Sequence, residues 1–366
     1  MKPNKSPDLI LLFVIGILVV FGLIMVSSAS IGLSQERFGE SYYYLKSQIL
    51  KGLLPGLFLG FVAYFLPYRY LKPLALPALI ATIIALIMVF IPGIGTGHGG
   101  ATRWISVGSI VLQPSEFLKL SFILYLAAWM SSKGNAVKDF SQGLVPFLIM
   151  VGMVAFLIIM EPDIGTLGVI GFSSLIIFFL AGARMSHLGL IGLGSAVMFY
   201  LLTKFYSHAA NRLQVFLHPE LDPKGIGYQI NQAILALGSG GMFGVGLGQG
   251  VQKFKYLPEP ASDSIVAVMG EELGFIGILA LLMLFIIFTF RGLKIAQGAP
   301  DDFGRLLAGG LTGWIVIQAL INIAAICGLI PLTGITLPFI SLGGSSLAIT
   351  LIAMGILLNI SKYSKL

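Results

Sequence analysis

Apolar residues in this chain run for about 20 positions at a time, the length a helix needs to cross a bilayer, and are then broken by a few polar ones. Only helices and closed barrels satisfy their own backbone in lipid, so each run reads as a transmembrane helix. Ten can be placed, near 9–29, 47–66, 73–91, 114–131, 142–160, 165–181, 187–204, 264–290, 304–328 and 343–361. The pattern predicts an all-α integral membrane protein built as one polytopic unit over 1–366.

Between the seventh and eighth runs the pattern changes. One long loop, approximately 205–263, carries scattered apolar residues (Ile226, Tyr228, Ile230, Ile234, Leu235, Leu237), too many for a solvated tail. Their spacing around Tyr228 to Leu237 predicts a short amphipathic helix. Of the 15 acidic residues in the chain, six (Glu220, Asp222, Glu259, Asp263, Glu271, Glu272) fall between Asn211 and Gly274, which makes this the first place to look for chemistry.

Composition agrees with the pattern: 57% of residues are hydrophobic, 10% are charged and the mean hydropathy is +0.97, far from a soluble domain. The net charge of +7 is spread as helix flanks rather than gathered in a stripe, which argues against nucleic acid. Placing the amino terminus in the cytoplasm puts Lys2, Lys5, Arg69, Lys72, Lys133, Lys138, Arg184, Arg291, Lys294, Arg305, Lys362 and Lys365 inside. Both termini are therefore expected to be cytoplasmic. The first apolar run is long and followed by others, so it reads as an uncleaved helix rather than a signal peptide. Cys327, placed within an apolar helix, allows no disulfide framework, and the scattered His98, His187, His208 and His218 show no zinc spacing.

Two glycine-rich stretches resemble phosphate loops only formally. Gly95, Gly97 and Gly100 fit GxGxxG but open no βαβ unit, and Gly238–Gly250 lacks the Lys-Ser/Thr ending of a P-loop. Flexible loop glycines and tight turns account for both.

Ionisable groups at membrane depth need a partner or a task. Glu116 and Lys119 stand three apart after Gln113-Pro114, on one helix face. They read either as an ion pair pinning the helix or as the wall of a polar cavity, with Lys119 near an anionic substrate group. Asp163, in EPDIGT, reads foremost as a helix cap. Glu271 and Glu272 are adjacent on a helix, so at most one is expected to face a cavity. Asp263 opens a long apolar helix after Pro258-Glu259-Pro260; it is a helix cap or a carboxylate poised to take a proton from a sugar hydroxyl.

With these residues in place, the chain resembles the SEDS family (shape, elongation, division and sporulation) along nearly its whole length. TRWISVGSIVLQPSEFLKL (Thr102–Leu120), EPDIGT (Glu161–Thr166), HPELDPKGIGYQ (His218–Gln229), QKFKYLPEPASDS with GEELG, and TLPFISLGGSSL (Thr336–Leu347) match five family motifs in order. Tyr228-Gln229, Gln252-Lys253 and the TLPF (Thr336–Phe339) and GGSS (Gly343–Ser346) wording look more like the division-type member FtsW than the elongation-type RodA. The chain departs from the pattern at Ala261-Ser262-Asp263-Ser264 (usually His-Thr-Asp-Phe), at Glu161 (usually Gln) and at Leu342 (usually Tyr).

The resemblance implies an inverting peptidoglycan glycosyltransferase that polymerises lipid II at the outer face of the bacterial cytoplasmic membrane. It maps the essential aspartate onto Asp263, and it leaves Glu116, Lys119 and Glu271 to support the cavity. Arg103, Arg212, Lys253 and Lys119 are candidates for the leaving pyrophosphate, while Asp163, Tyr228, Gln229, Gly343 and Gly344 belong to motifs that shape the fold. No metal site is visible, although a divalent cation carried with the pyrophosphate is compatible with the chemistry. The implied partners are lipid II, an undecaprenyl-linked glycan strand, a class B penicillin-binding transpeptidase and other divisome or elongasome membrane proteins. A lipid II flippase and a non-catalytic scaffold for the transpeptidase are the competing classes.

Overall fold

The computed structural model describes residues 6–98, 101–108 and 110–365; Lys2, Lys5 and Gly100 of the sequence reading lie outside the described residues. The apolar runs fold as helices: α1 (Leu9–Phe38), α2 (Tyr43–Phe65), α3 (Tyr68–Met88), α4 (Pro114–Lys133), α5 (Phe140–Met160), α6 (Ile164–Leu180) and α7 (Met185–Phe205). After the loop region come α10 (Ile265–Gly298), α11 (Asp302–Ile326) and α12 (Gly344–Ser361). Among the described residues eight of these are long and apolar enough to cross a membrane. Polar residues such as Glu116 and Lys119 keep α4 out of that set, and α6 has 17 residues.

Burial separates the bundle into centre and rim. In α12, 78% of the most apolar window is buried, against 0% in that of α7, as expected of a helix that meets lipid along most of its length while His187 near its start is buried. At the centre, α12 lies against α2 with Gly355 facing Gly60; a Cβ on Gly355 would run into the Gly60 main chain. Small residues that let backbones approach are the usual contact between membrane helices, where the hydrophobic effect gives no drive.

Polar contacts define the two ends of the bundle. At one end Arg291 pairs with Asp8 at 2.5 Å, Arg69 with Asp301 at 2.9 Å, and the Lys365 main-chain N–H bonds to Gly298 O at 2.9 Å. The helix ends that carry Arg69, Arg291 and Lys365 therefore lie on one side, and α10 spans from there to Asp263 at the other.

The segment between α3 and α4 is not the flexible loop that its glycines suggested. It forms a small antiparallel sheet, β1 (Gly95–His98), β2 (Ala101–Val107) and β3 (Ile110–Leu112), in the order β1-β2-β3. The β-branched and aromatic residues of Thr102-Arg103-Trp104-Ile105 favour the pleat, and Gly108, at φ 62°, makes the turn into β3. The fold is thus helical with one small sheet at the end that holds Asp263.

The 205–263 region is also largely structured. It contains α8 (Ser207–Leu217) and α9 (Ile226–Ser239), so the helix expected around Tyr228–Leu237 is present and longer. Asp222 initiates α9, its carboxylate accepting from the N–H groups of Gly225 (3.0 Å) and Ile226 (2.7 Å). That is the physical work of the Asp-Pro-x-Gly motif.

Candidate active site

Asp263 lies one residue before Ser264, the cap of α10, and its carboxylate accepts from the main-chain N–H groups of Asp263 and Ser264 at the mouth of that helix. Side chains from two other helices and the segment after α11 add to this local contact. Gln229 of α9 donates from Nε2 to Ser264 Oγ (2.9 Å) and, at 3.4 Å, to Asp263 Oδ2. Asn322 of α11 donates to the Asp263 main-chain oxygen at 2.9 Å and to Ile335 O at 2.7 Å. Ser341 Oγ donates to the oxygen of Ser262 at 2.5 Å. Asn322 and Ser341 therefore hold the backbone on either side of the carboxylate, and Gln229 reaches the carboxylate itself. Burial, and then the charge of Glu259, push its pKa up to about 6, while Gln229 and nearby main-chain N–H groups pull against that rise.

Arg212 and Arg103 share this end of the protein. Arg212, on α8, donates from Nη1 to the carbonyls of Leu332 (2.9 Å) and Thr333 (3.1 Å), next to Gly334, which borders Asp263 Oδ2. Burial, and then the like charge of Arg103, lower the pKa of Arg212, while Asp163 and Asp263 act the other way. Arg103, on β2, donates from Nε to Glu161 O at 3.0 Å and from Nη2 to Pro162 O. Both guanidiniums anchor on carbonyls and keep further N–H groups for a ligand.

Asp163 caps α6, accepting from Thr166 N at 3.1 Å and Thr166 Oγ1 at 2.9 Å, as the sequence suggested. Gly165 behind it packs on Thr333 and Ile335, which joins the EPDIGT motif to the segment beside Asp263. Glu161 is 1% exposed and neither carboxylate oxygen has a hydrogen-bond partner. Burial, then the charge of Asp163, raise its pKa to about 8 against the opposing effect of Arg103.

Glu116 and Lys119 form an ion pair of 2.8 Å on α4, 5% and 2% exposed. Lys119 Nζ also donates to Gln318 Oε1 at 2.9 Å, which accepts from Trp314 Nε1 at 2.8 Å. Gln318 passes the connection on, donating to Thr336 O at 2.9 Å, and Thr336 Oγ1 lies 3.0 Å from Ser346 Oγ. Gln318 and Asn322 stand four apart on α11 and bind the adjacent carbonyls of Thr336 and Ile335. One helix face thus ties the Glu116–Lys119 pair to Asp263. Neither Gln318 nor Asn322 was singled out from the sequence, although polar amides four apart inside an apolar helix are a legible signal.

Two expectations need correction. Glu271 and Glu272 both point into the protein and hold the same loop, because that loop wraps around the helix above its kink. Glu271 accepts from Val251 N (2.8 Å) and Gln252 N (3.2 Å); Glu272 accepts from Gly248 N (3.0 Å) and Ser28 Oγ (2.8 Å). The kink is at Gly274, φ 67°, where a Cβ would collide with the Gly244 main chain. Cys327 lies just past the end of α11 and is exposed, rather than within the helix.

Lys253 is committed inside the protein. Its ammonium, 2% exposed, donates to Glu272 Oε1 at 2.6 Å, Gly248 O at 2.8 Å and Ser28 Oγ at 2.9 Å. Tyr228 is half-buried on α9 beside Gln229. Gly343 N donates to Gln48 Oε1 at 3.0 Å, and Gly344 packs on the Lys51 main chain, so the paired glycines join α12 to α2.

The family profile for the cell cycle proteins FtsW, RodA and SpoVE matches residues 8–366. The chain is 44% identical over 368 residues to stage V sporulation protein E of Bacillus subtilis (strain 168), covering 99% of each. It is 40% identical to the probable peptidoglycan glycosyltransferase FtsW of Trichlorobacter lovleyi, covering 98% of this chain and 94% of that one. Among solved structures it resembles a chain from work on the structural coordination of polymerization and crosslinking by a peptidoglycan synthase complex (TM-score 0.80, 26% identity, 97% and 98% covered). It also resembles the rod shape determining protein RodA of Thermus thermophilus (TM-score 0.72, 26% identity, 99% and 98% covered).

Proposed function

The chain belongs to the FtsW, RodA and SpoVE family of cell cycle proteins, and from that membership we propose that it is an inverting peptidoglycan glycosyltransferase acting on lipid II. The observation that carries the reading is the Asp263 carboxylate, held by Gln229 and by the Asn322-bound backbone, with Arg103 and Arg212 on the same side.

In the proposed reaction the 4-hydroxyl of the acceptor GlcNAc attacks the anomeric carbon of the donor MurNAc from the face opposite the leaving group. The new C–O bond forms as the bond to undecaprenyl pyrophosphate breaks, and Asp263 takes the hydroxyl proton. A pKa near 6 keeps Asp263 ionised at neutral pH yet more basic than an ordinary aspartate. The departing pyrophosphate gains negative charge, which Arg103 and Arg212 are placed to stabilise in a partly desolvated setting. Lys119 and Lys253 are already neutralised by Glu116 and Glu272 and serve to shape the site. Among the described residues no three His, Cys, Asp or Glu side chains are grouped to hold a metal, so a divalent cation would enter with the pyrophosphate.

The apolar rim keeps the polyprenyl chains in lipid while their headgroups enter at the end of the bundle that carries Asp263. This end is the proposed outer face of the cytoplasmic membrane, and the opposite end, with both termini, the cytoplasmic face. A class B penicillin-binding transpeptidase is the proposed partner, by likeness to the synthase complex. The test is strand synthesis by purified protein with lipid II: the wild type forms polymer and Asp263→Asn does not. Undiminished polymer from the variant would exclude Asp263 as base; lipid II movement across vesicles without polymer would instead identify a flippase.

A further inference from the structure

Three consecutive carbonyls lead up to the Asp263 side chain, and each is taken by a donor from the carboxy-terminal part of the chain. Leu342 N donates to Ala261 O at 2.8 Å, Ser341 Oγ to Ser262 O at 2.5 Å and Asn322 Nδ2 to Asp263 O at 2.9 Å. The first two donors sit in the non-helical segment between α11 and α12. Its shape comes from a tight turn, in which Ser341 N donates to Leu337 O at 3.0 Å and Leu337 N donates to Ser341 Oγ at 2.8 Å. Phe339, within that turn, is a non-glycine residue at φ 69°, a conformation that persists only where the surroundings enforce it. Phe339 is buried against Gly22 of α1, where a Cβ would run into the Phe339 carbonyl.

Gln48 of α2 grips the other side of this segment. It is 2% exposed and its amide spans the chain at Leu342: Nε2 donates to Ser341 O at 3.1 Å, and Oε1 accepts from Gly343 N at 3.0 Å. The N–H between those two groups, that of Leu342, is the one that holds Ala261. A buried amide with both ends satisfied rigidifies what it binds. Just beyond Gln48 the helix widens into a π turn, Ile49–Leu53, ahead of Pro55. Such turns are frequent at functional sites.

The same two helices carry a second clamp at their far ends. Asn359 of α12, 1% exposed, accepts from Tyr68 N at 2.9 Å and donates to Tyr64 O at 2.6 Å. Between the clamps, Gly52, Gly56 and Gly60 of α2 meet the main chain of Gly344, Ala348 and Leu351. Both amides lock α2 to α12, but only Gln48 does so next to Asp263.

We propose that Gln48 is a positioning residue for the general base: through the 341–343 segment it sets where the backbone of Asp263 stands, and so how the carboxylate meets the acceptor hydroxyl. The proposal rests on the reading of Asp263 as that base. A base works only within hydrogen-bond reach of the proton it takes, and a misplacement of about 1 Å can cost on the order of a hundredfold in rate. Gln48 touches no substrate in this scheme, so its loss appears in turnover rather than in affinity.

The test compares variants of the full-length protein in detergent micelles. Gln48→Met keeps the length of the side chain and removes both hydrogen bonds; it is expected to lower kcat about tenfold with the KM for lipid II within about twofold of the wild type. Amide hydrogen exchange at 260–265, read by mass spectrometry, is expected to quicken. The acid limb of the pH–rate profile should move to lower pH, because a loosened Asp263 loses part of the burial that raises its pKa. Asn359→Leu breaks the equivalent clamp far from Asp263; it is expected to lower the melting point similarly while leaving kcat, the acid limb and exchange at 260–265 unchanged. Gln48→Glu can accept from Gly343 at any pH but can donate to Ser341 only when protonated, so its kcat relative to the wild type is expected to rise as pH falls. This milder variant carries the test if Gln48→Met does not fold. Wild-type kcat in Gln48→Met, an equal loss of kcat in Asn359→Leu, or a ratio that stays flat with pH in Gln48→Glu overturns the proposal. Exchange needs no turnover, so faster exchange in Gln48→Met beside a wild type that makes no polymer supports the clamp and counts against the glycosyltransferase reading.

Discussion

The side-chain amide of Asn322 holds the main-chain oxygen of Asp263 at 2.9 Å while its second N–H holds Ile335 O at 2.7 Å. One buried amide therefore fixes the backbone that carries the carboxylate against the segment that carries Gly334. The positioning has measurable consequences.

Replacing Asn322 by Leu leaves two buried carbonyls without a donor, each costing about 1–3 kcal/mol. The variant is expected to melt several degrees lower in detergent and to polymerise lipid II at a fraction of the wild-type rate. Wild-type activity together with the wild-type melting point would show that Asn322 does not position Asp263.

Asp263 has to be ionised to accept a proton, and burial with Glu259 raises its pKa to about 6. Activity is expected to fall as pH drops through about 6. Glu259→Gln removes the neighbouring charge and should move that acid limb to lower pH. A pH–rate profile of the two proteins decides this, and an acid limb unmoved in the variant would mean that another group titrates.

The Glu116–Lys119 pair is buried, so removing one partner strands the other charge. Lys119→Ala is expected to cost about 3–5 kcal/mol, and the double change Glu116→Gln with Lys119→Met considerably less. Thermal unfolding of the three proteins tests this. Activity retained by the double variant would assign the pair to holding the helix; activity lost with stability restored would assign it to the cavity.

Glu161 has its pKa raised to about 8, so in the folded protein it stays protonated at neutral pH, when an unfolded glutamate is ionised. Its contribution to stability is complete at low pH and is lost as pH rises from the unfolded value through about 8. Glu161→Gln, neutral at every pH, should match the wild type near pH 4 and melt higher than it near pH 9. A melting-point difference that does not grow with pH would show that Glu161 is ionised in the fold. The protonated acid has the shape and hydrogen-bonding groups of a glutamine, the residue usual at this place in the family motif.

Gly274→Ala places a Cβ against the Gly244 main chain at φ 67°. The variant is expected to lose about 1–3 kcal/mol and to loosen the loop held by Glu271 and Glu272, read as faster proteolysis within 244–253.

The sequence by itself determined the membrane helices, because a run of about 20 apolar residues has few alternatives to spanning lipid. It also marked Asp163 as a cap and Asp263 as the carboxylate to watch, since short polar motifs act locally. It misread the strands of 95–112, where glycines masked a β-branched pattern, and it treated Glu271 and Glu272 by helix geometry alone, without the loop that wraps them. Only the tertiary structure decided which charges are spent. Lys253 and Lys119 look like free cations in sequence and are neutralised across gaps of 19 and three residues. Arg212 reaches carbonyls 120 and 121 residues away. Gln318 and Asn322 gain their meaning from the carbonyls of Thr336 and Ile335, brought to α11 by the turn that follows it. Helices form from local spacing, whereas a buried charge is placed by whichever distant group can satisfy it, and that choice is made by packing.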